Sequence, residues 1–276
     1  MKQLLYKNEE CVIEEKWDGE LLYLSYPKLE QTGLVEHGFS TRLGGVSEGI
    51  FESMNLSYHR GDANENVDEN FRRMLQAIGA GNKQMVRSAQ THTTNVHQVT
   101  AENKYEILQD IDGLITNEKD VCLVTSYADC VPLYFVDPVH SAIGLSHSGW
   151  RGTVGKIGEV ILKQMHVVYG TEAKDVIVAI GPSICQDCYE VSEDVILQFQ
   201  NAFREELWNQ LFYRKENGKY QLNLWKANEF ILLDAGVLPE HIAVTNVCTN
   251  CNPSVLFSHR ATKGQRGGMC AFLALK

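Results

Sequence analysis

Three short segments hold the residues most able to do chemistry: Gln90-Thr91-His92, Ala128-Asp129-Cys130-Val131-Pro132 and His147-Ser148-Gly149-Trp150-Arg151-Gly152. Together they offer one thiol and two imidazoles, each at the end of a strand-like run. Imidazole nitrogen and thiolate sulfur suit zinc. Three protein ligands leave a fourth position for water or substrate, which is the arrangement of catalytic sites. The same atoms without a metal form a Cys/His nucleophile pair. The residue types alone leave both readings open.

The pair Cys130 and His147 says more than either member. A cysteine between apolar runs also serves as a plain core residue, and a histidine beside glycines as a hydrogen-bonded turn residue. However, Val131 to Val136, a turn at Asp137-Pro138, and Ala142 to Ser146 predict a hairpin. Its return strand would bring His147 back beside Cys130. His92 or His97 can supply the third ligand from a segment that Thr93-Thr94-Asn95 marks as a loop. Asp129 is a candidate for proton transfer by adjacency alone.

Basic residues cluster near the C-terminus at His259, Arg260, Lys263 and Arg266. An arginine on a Gly-rich loop can grip phosphate bidentately, and Arg260 is the candidate here. Arg42, before Gly44-Gly45, and Arg151 are further candidate anion contacts. Asn55 and His59 sit in a polar loop that could meet a ligand or simply turn the chain. Two C-x-x-C pairs, Cys185/Cys188 and Cys248/Cys251, lie about sixty residues apart, far beyond the usual zinc-knuckle interval. That spacing argues against a structural zinc there, and no thioredoxin-like unit surrounds either pair. Among the nine histidines no H-x-H spacing occurs, so four-copper laccase chemistry lacks its ligands.

Elements that could position these groups follow from periodicity. Strand-like runs are Leu21 to Tyr26, Val121 to Tyr127, Val131 to Val136, Ala142 to Ser146, Val176 to Ile180, Ile242 to Val247, Ser254 to Ser258 and Cys270 to Leu275. Helices are expected over Asn66 to Ile78, after Thr153 as cap, over Glu193 to Leu207 after Ser192, and over Leu224 to Ala235 between Asn223 and Gly236. Paired strands separated by single helices predict a mixed-sheet α/β (α+β) fold. With no repeat, no linker and only six scattered prolines, residues 1–276 read as a single domain.

A net charge of -10 argues against nucleic-acid binding through phosphate neutralisation. The first ten residues lack the apolar stretch of a signal peptide, and no apolar run is long enough to span a bilayer. The expectation is a cytoplasmic protein without a membrane partner. Neither the G-x-G-x-x-G nor the G-x-x-x-x-G-K-[ST] phosphate loop is present.

The chain resembles the laccase-domain proteins, first labelled polyphenol oxidases and now regarded as purine nucleoside phosphorylases. The resemblance is carried by Phe39-Ser40-Thr41-Arg42-Leu43-Gly44-Gly45-Val46-Ser47, Asn55-Leu56, Gly61-Asp62, Gln90-Thr91-His92 and Asp112-Gly113. It continues through Ala128 to Pro132, His147 to Gly152, Ile180 to Ile184, Tyr189-Glu190-Val191, Cys248-Thr249 and Phe257-Ser258-His259-Arg260. It implies zinc at His92, Cys130 and His147, choosing His92 over His97, and a sandwich of mixed sheets flanked by helices. It also implies phosphorolysis of adenosine, inosine, guanosine and methylthioadenosine, with deamination of adenosine. Thr93 stands where the family commonly has glycine, and His259 where tyrosine is frequent.

On this reading Cys130 and His147 serve at the metal, while Arg260 and Arg42 hold phosphate against C1′ of ribose. Zinc chemistry suits deamination at C6 of adenine, although the H-x-E of other zinc deaminases is missing. The competing readings are a metal-free Cys/His hydrolase, a copper-dependent polyphenol oxidase and a non-enzymatic metal-binding protein.

Overall fold

The computed structural model describes residues 3–276. Met1 and Lys2, the start of the segment read above for a leader, lie outside them. The main strands are β1 (Glu14–Asp18), β2 (Leu21–Ser25), β3 (Val35–Ser40), β4 (Gln84–Val86), β5 (Val96–Gln98) and β6 (Gly113–Thr116). They continue as β7 (Val121–Tyr127), β8 (Val131–Asp137), β9 (Ala142–Ser148), β10 (Ile177–Ile180), β11 (Ile242–Val244) and β12 (Met269–Leu275). The helices that cover them are α1 (Asn64–Ala77), α2 (Ile157–Tyr169), α3 (Glu193–Ala202) and α4 (Leu224–Asp234).

The strands form two six-stranded mixed sheets, ordered β1-β2-β3-β12-β7-β4 and β11-β10-β8-β9-β6-β5. Pairing is antiparallel except for β4 with β7, β10 with β11, and β5 with β6. The sheets stack face to face, because successive side chains of a strand point to opposite faces. In β12, Met269, Ala271, Leu273 and Leu275 enter the core between the sheets, while Cys270, Phe272 and Ala274 meet α1. In β8, Tyr134 and Val136 face the other sheet, while Val131, Leu133 and Phe135 pack under α2, α3 and α4. Burial on both faces is why these strands read as continuous apolar runs. Each fully buried Leu, Val or Phe contributes about 1.5–3 kcal/mol. The mixed α/β sandwich flanked by helices is therefore the expected fold.

Local departures have physical causes. The helical stretch expected after Thr153 is broken: a short helix, Trp150–Val154, is followed by Lys156 at φ 57° and then α2. Thr153 is no cap; its hydroxyl donates to the Gly149 carbonyl at 3.0 Å. The helix after Ser192 ends at Ala202, where Phe203 turns extended (ψ 146°) to bury its ring. Ser254 to Ser258 is no strand, although Val255, Leu256 and Phe257 are buried; Val255 and Leu256 donate backward to the Asn252 carbonyl instead. Asn223 caps α4 as expected, its side chain accepting from the Lys226 N–H. Gly236 stops that helix at φ +97°. Strand β3 escaped the sequence pattern because Glu36, His37 and Gly38 interrupt its apolar run.

Candidate metal centre

The β8–β9 hairpin pairs Pro132 with His147 and Val131 with Ser148. Cys130, one residue before β8, thus lies beside the end of β9, as the alternation required. His147 is buried, Cys130 half-buried and His92 exposed. The ligand atoms of His92, Cys130 and His147 all lie within 4.8 Å of one another. Cys130 Sγ is 3.9 Å from His92 Nε2, and the two imidazole rings meet edge to face at 4.9 Å.

Asp112, fully buried, organises this convergence. Its Oδ1 accepts from His147 Nδ1 at 2.8 Å and from the His92 N–H at 3.2 Å. Its Oδ2 accepts from the Thr91 and Thr93 N–H groups at 3.2 and 2.8 Å, and from the Thr93 hydroxyl at 2.9 Å. These bonds hold the loop through His92, which sits at φ 66°. Burial works to raise the Asp112 carboxyl, but the His147 ring and the Thr93 N–H outweigh it and hold it at about 2. An ionised carboxylate only accepts, so His147 Nδ1 donates, and Nε2 is the nitrogen that would give up its proton to ligate a metal. Gly149 completes the floor: a Cβ there would stand 2.7 Å from His92 Cδ2 and 3.2 Å from Cys130 Sγ.

Burial alone would raise the Cys130 thiol; the charge and hydrogen bonds of His147 and His92 pull it down to about 6. Burial disfavours charge on His147, but Cys130 and Asp112 raise it to about 9. A thiolate with two imidazoles, one oriented by a carboxylate, is a donor set that fits a divalent zinc-like ion.

These groups line a cleft of about 880 Å³, together with Asp129, Tyr189, His259, Arg260 and Arg266. Asp129, at φ 90°, has both carboxylate oxygens engaged, by the Thr249 hydroxyl at 2.6 Å and the Arg260 N–H at 2.7 Å. Arg260 lies over the Tyr189 ring at 5.3 Å and donates to the Glu190 carbonyl at 3.0 Å. The other three residues expected at substrate are not among those that line this cleft. Arg42 donates to the Glu52 and Pro253 carbonyls and lies over Phe257. Buried Asn55 spends its amide on Ser57, Asp62 and Gly268. Arg151 lies over the Trp150 ring at 4.3 Å. His97 sits on β5, apart from the ligand group.

Two residues were not given these roles by sequence reasoning. Asp112 had a signal, an acidic residue opening the apolar run Gly113-Leu114-Ile115. Arg266 was noticed only as part of a basic cluster. It is 8% exposed, its Nε has no hydrogen-bond partner among the described residues, and burial with the nearby Arg60 charge lowers it to about 10. It therefore remains charged at neutral pH.

Residues 36–276 match the family model described as multi-copper polyphenol oxidoreductase laccase. The chain is 37% identical over 248 residues to purine nucleoside phosphorylase YlmD of Bacillus subtilis (strain 168), covering 87% of this chain and 88% of that protein. It is 35% identical over 245 residues to a purine nucleoside phosphorylase of Bacteroides thetaiotaomicron, covering 86% and 90%. The crystal structure of YlmD from Geobacillus stearothermophilus matches with TM-score 0.87 at 32% identity, over 96% of this chain and 99% of that one.

Proposed function

The chain belongs to the laccase-domain family, and from that premise we propose that it is a zinc-dependent purine nucleoside phosphorylase. Its substrates are adenosine, inosine, guanosine and methylthioadenosine with phosphate, and it also deaminates adenosine. The reactions are a glycosyl transfer to phosphate and a hydrolysis, carried by one domain over residues 1–276. The names of the relatives support the first; the second rests on family resemblance and donor chemistry. His92, Cys130 and His147 would hold the zinc. When bound, the ion would supply positive charge facing the cleft and lower the pKa of water there.

The observation that carries the reading is the pairing of that ligand group with Arg266 in one cleft. A buried cationic side chain with an unpartnered N–H is costly unless an anion arrives to meet it. Phosphate is that anion, held by Arg266 and Arg260. In phosphorolysis a phosphate oxygen bonds to C1′, the C1′–N9 bond breaks, and its electron pair leaves with the purine. Positioning the phosphate beneath C1′ is what the arginines contribute. Tyr189 offers an aromatic face in the same cleft. Asp112 keeps His147 in one tautomer.

A cytoplasmic setting suits the chain, because all eight cysteines are free and a reducing compartment keeps them so. No helix among the described residues is long and apolar enough to cross a membrane.

Incubating the protein with adenosine, with and without phosphate, and separating the products tests the reading. Adenine and ribose-1-phosphate should form only with phosphate, whereas inosine should form without it and pass on to hypoxanthine when phosphate is present. If neither base nor inosine appears with zinc-loaded protein, the reading is lost. The low thiol of Cys130 beside His147 favours a second reading, a metal-free Cys/His hydrolase. Activity without stoichiometric zinc, abolished by alkylation, would establish it. Colour and phenol turnover on adding copper would instead favour the oxidase in the family's description.

A further inference from the structure

The long interval between the C-x-x-C pairs argued against a shared site, yet the fold closes it. Cys185, Cys188, Cys248 and Cys251 bring their four sulfurs within 4.8 Å of one another. Cys185 and Cys248 are buried, Cys188 and Cys251 half-buried. Cys188 and Cys251 are 3.5 Å apart. Sulfurs about 2.3 Å from a tetrahedral zinc stand about 3.8 Å from each other, a value inside this range.

Each turn closes on the carbonyl of its first cysteine. The Cys188 N–H donates to the Cys185 carbonyl at 3.1 Å, and the Asn252 side chain donates to the Cys248 carbonyl at 2.8 Å. A parallel bridge between Ser183 and Cys248 joins the two turns. The Cys185 N–H donates to Cys248 Sγ at 3.2 Å, so the two pairs also meet through the backbone. Cys122 and Cys270, by contrast, are scattered along strands as core residues.

We propose that Cys185, Cys188, Cys248 and Cys251 hold a structural zinc ion in a closed four-thiolate site. Four S–H groups release their protons to solvent as four Zn–S bonds form, and no electrons are transferred. With all positions filled by protein, the ion has no open face for chemistry. Its effect is mechanical. The Ile184 N–H donates to the Asp129 carbonyl at 3.0 Å, and Thr249 donates to the Asp129 side chain. Arg260 rests on the carbonyl of Glu190, just beyond Cys188. The ion thus pins two turns to the strand end that presents Cys130 and to the arginine of the cleft wall. Asn252 extends the brace to the N-terminal segment, accepting from the Leu5 N–H at 2.6 Å.

Native mass spectrometry of the full chain should find two zinc ions, one for each ligand group. The double variant His92→Ala, Cys130→Ala should keep one. X-ray absorption at the zinc edge of that variant should show four sulfur neighbours at about 2.3 Å and no nitrogen. Cobalt in its place should show intense thiolate charge-transfer bands. Adding Cys251→Ser should remove the remaining ion and lower Tm. A folded double variant without zinc, a zinc with nitrogen or oxygen neighbours, or a Cys188–Cys251 disulfide found by peptide mapping would overturn the proposal. Because Cys251→Ser can cost the fold, the absorption spectrum of the double variant decides alone. The phosphorylase reading can fail without changing that spectrum.

Discussion

Asp112 Oδ1 lies 2.8 Å from His147 Nδ1, joining the strand end of β9 to the loop before β6. The same carboxylate gathers the N–H groups of Thr91, His92 and Thr93. One buried acid therefore sets both the tautomer of one ligand and the path of the loop that carries another. Asp112→Asn should weaken zinc binding about 10- to 100-fold, the usual effect of losing such a partner. Chelator competition measures this. Unchanged affinity would reduce Asp112 to a loop anchor.

Gly149 is required by proximity, not by backbone strain. Its ideal Cβ would meet His92 Cδ2 at 2.7 Å and Cys130 Sγ at 3.2 Å. His92 is exposed and can swing away, so Gly149→Ala should fold normally yet lose zinc occupancy and turnover together. A Gly149→Ala protein binding zinc as wild type would show that the ligands meet elsewhere.

The part of this centre legible in sequence was the part set by strand periodicity. Cys130 and His147 flank a hairpin whose apolar alternation and Asp137-Pro138 turn define the register, so their neighbourhood follows. The approach of His92 was not legible from periodicity, because its loop has none; buried hydrogen bonds to Asp112 set its path. Arg42 and Asn55 looked like ligand contacts because they are polar and lie beside glycines, but they satisfy loop carbonyls and amides instead. The four-cysteine cluster was hidden for a third reason. Chain separation of 63 residues says little about distance once β10 and β11 pair side by side and continue into the two turns.

The inter-sheet core holds a pH-sensitive group remote from the cleft. His37 is buried among Tyr26 and Tyr134, and its Nε2 accepts from the Tyr26 N–H at 2.9 Å. Burial, helped by Lys16 and Lys276, lowers it to about 4. The unfolded chain takes up this proton below about pH 6.5, whereas the folded protein resists until about 4. The His37 contribution to stability is therefore whole above about 6.5 and falls across that window, by at most about 3 kcal/mol. His37→Gln should flatten the slope of denaturant-derived stability between those values. Asp112 contributes only lower, as pH falls from the usual Asp range toward 2. A variant with the wild-type slope would place the proton uptake elsewhere.

On the proposed function, Arg266 should separate phosphorolysis from deamination, because only the first needs an anion. Its guanidinium is buried in the cleft, with an Nε that has no partner among the described residues. A charge-assisted hydrogen bond contributes about 1.5–3 kcal/mol. Arg266→Gln should therefore raise the KM for phosphate about ten- to a hundredfold, with a smaller change in the KM for adenosine. Inosine formation from adenosine should persist in the same protein, which controls for misfolding. Arg266→Lys keeps the charge but loses the planar fork, and should recover part of the loss. Equal loss of both activities in a folded Arg266→Gln protein would mean that the guanidinium supports the cleft wall and meets no phosphate.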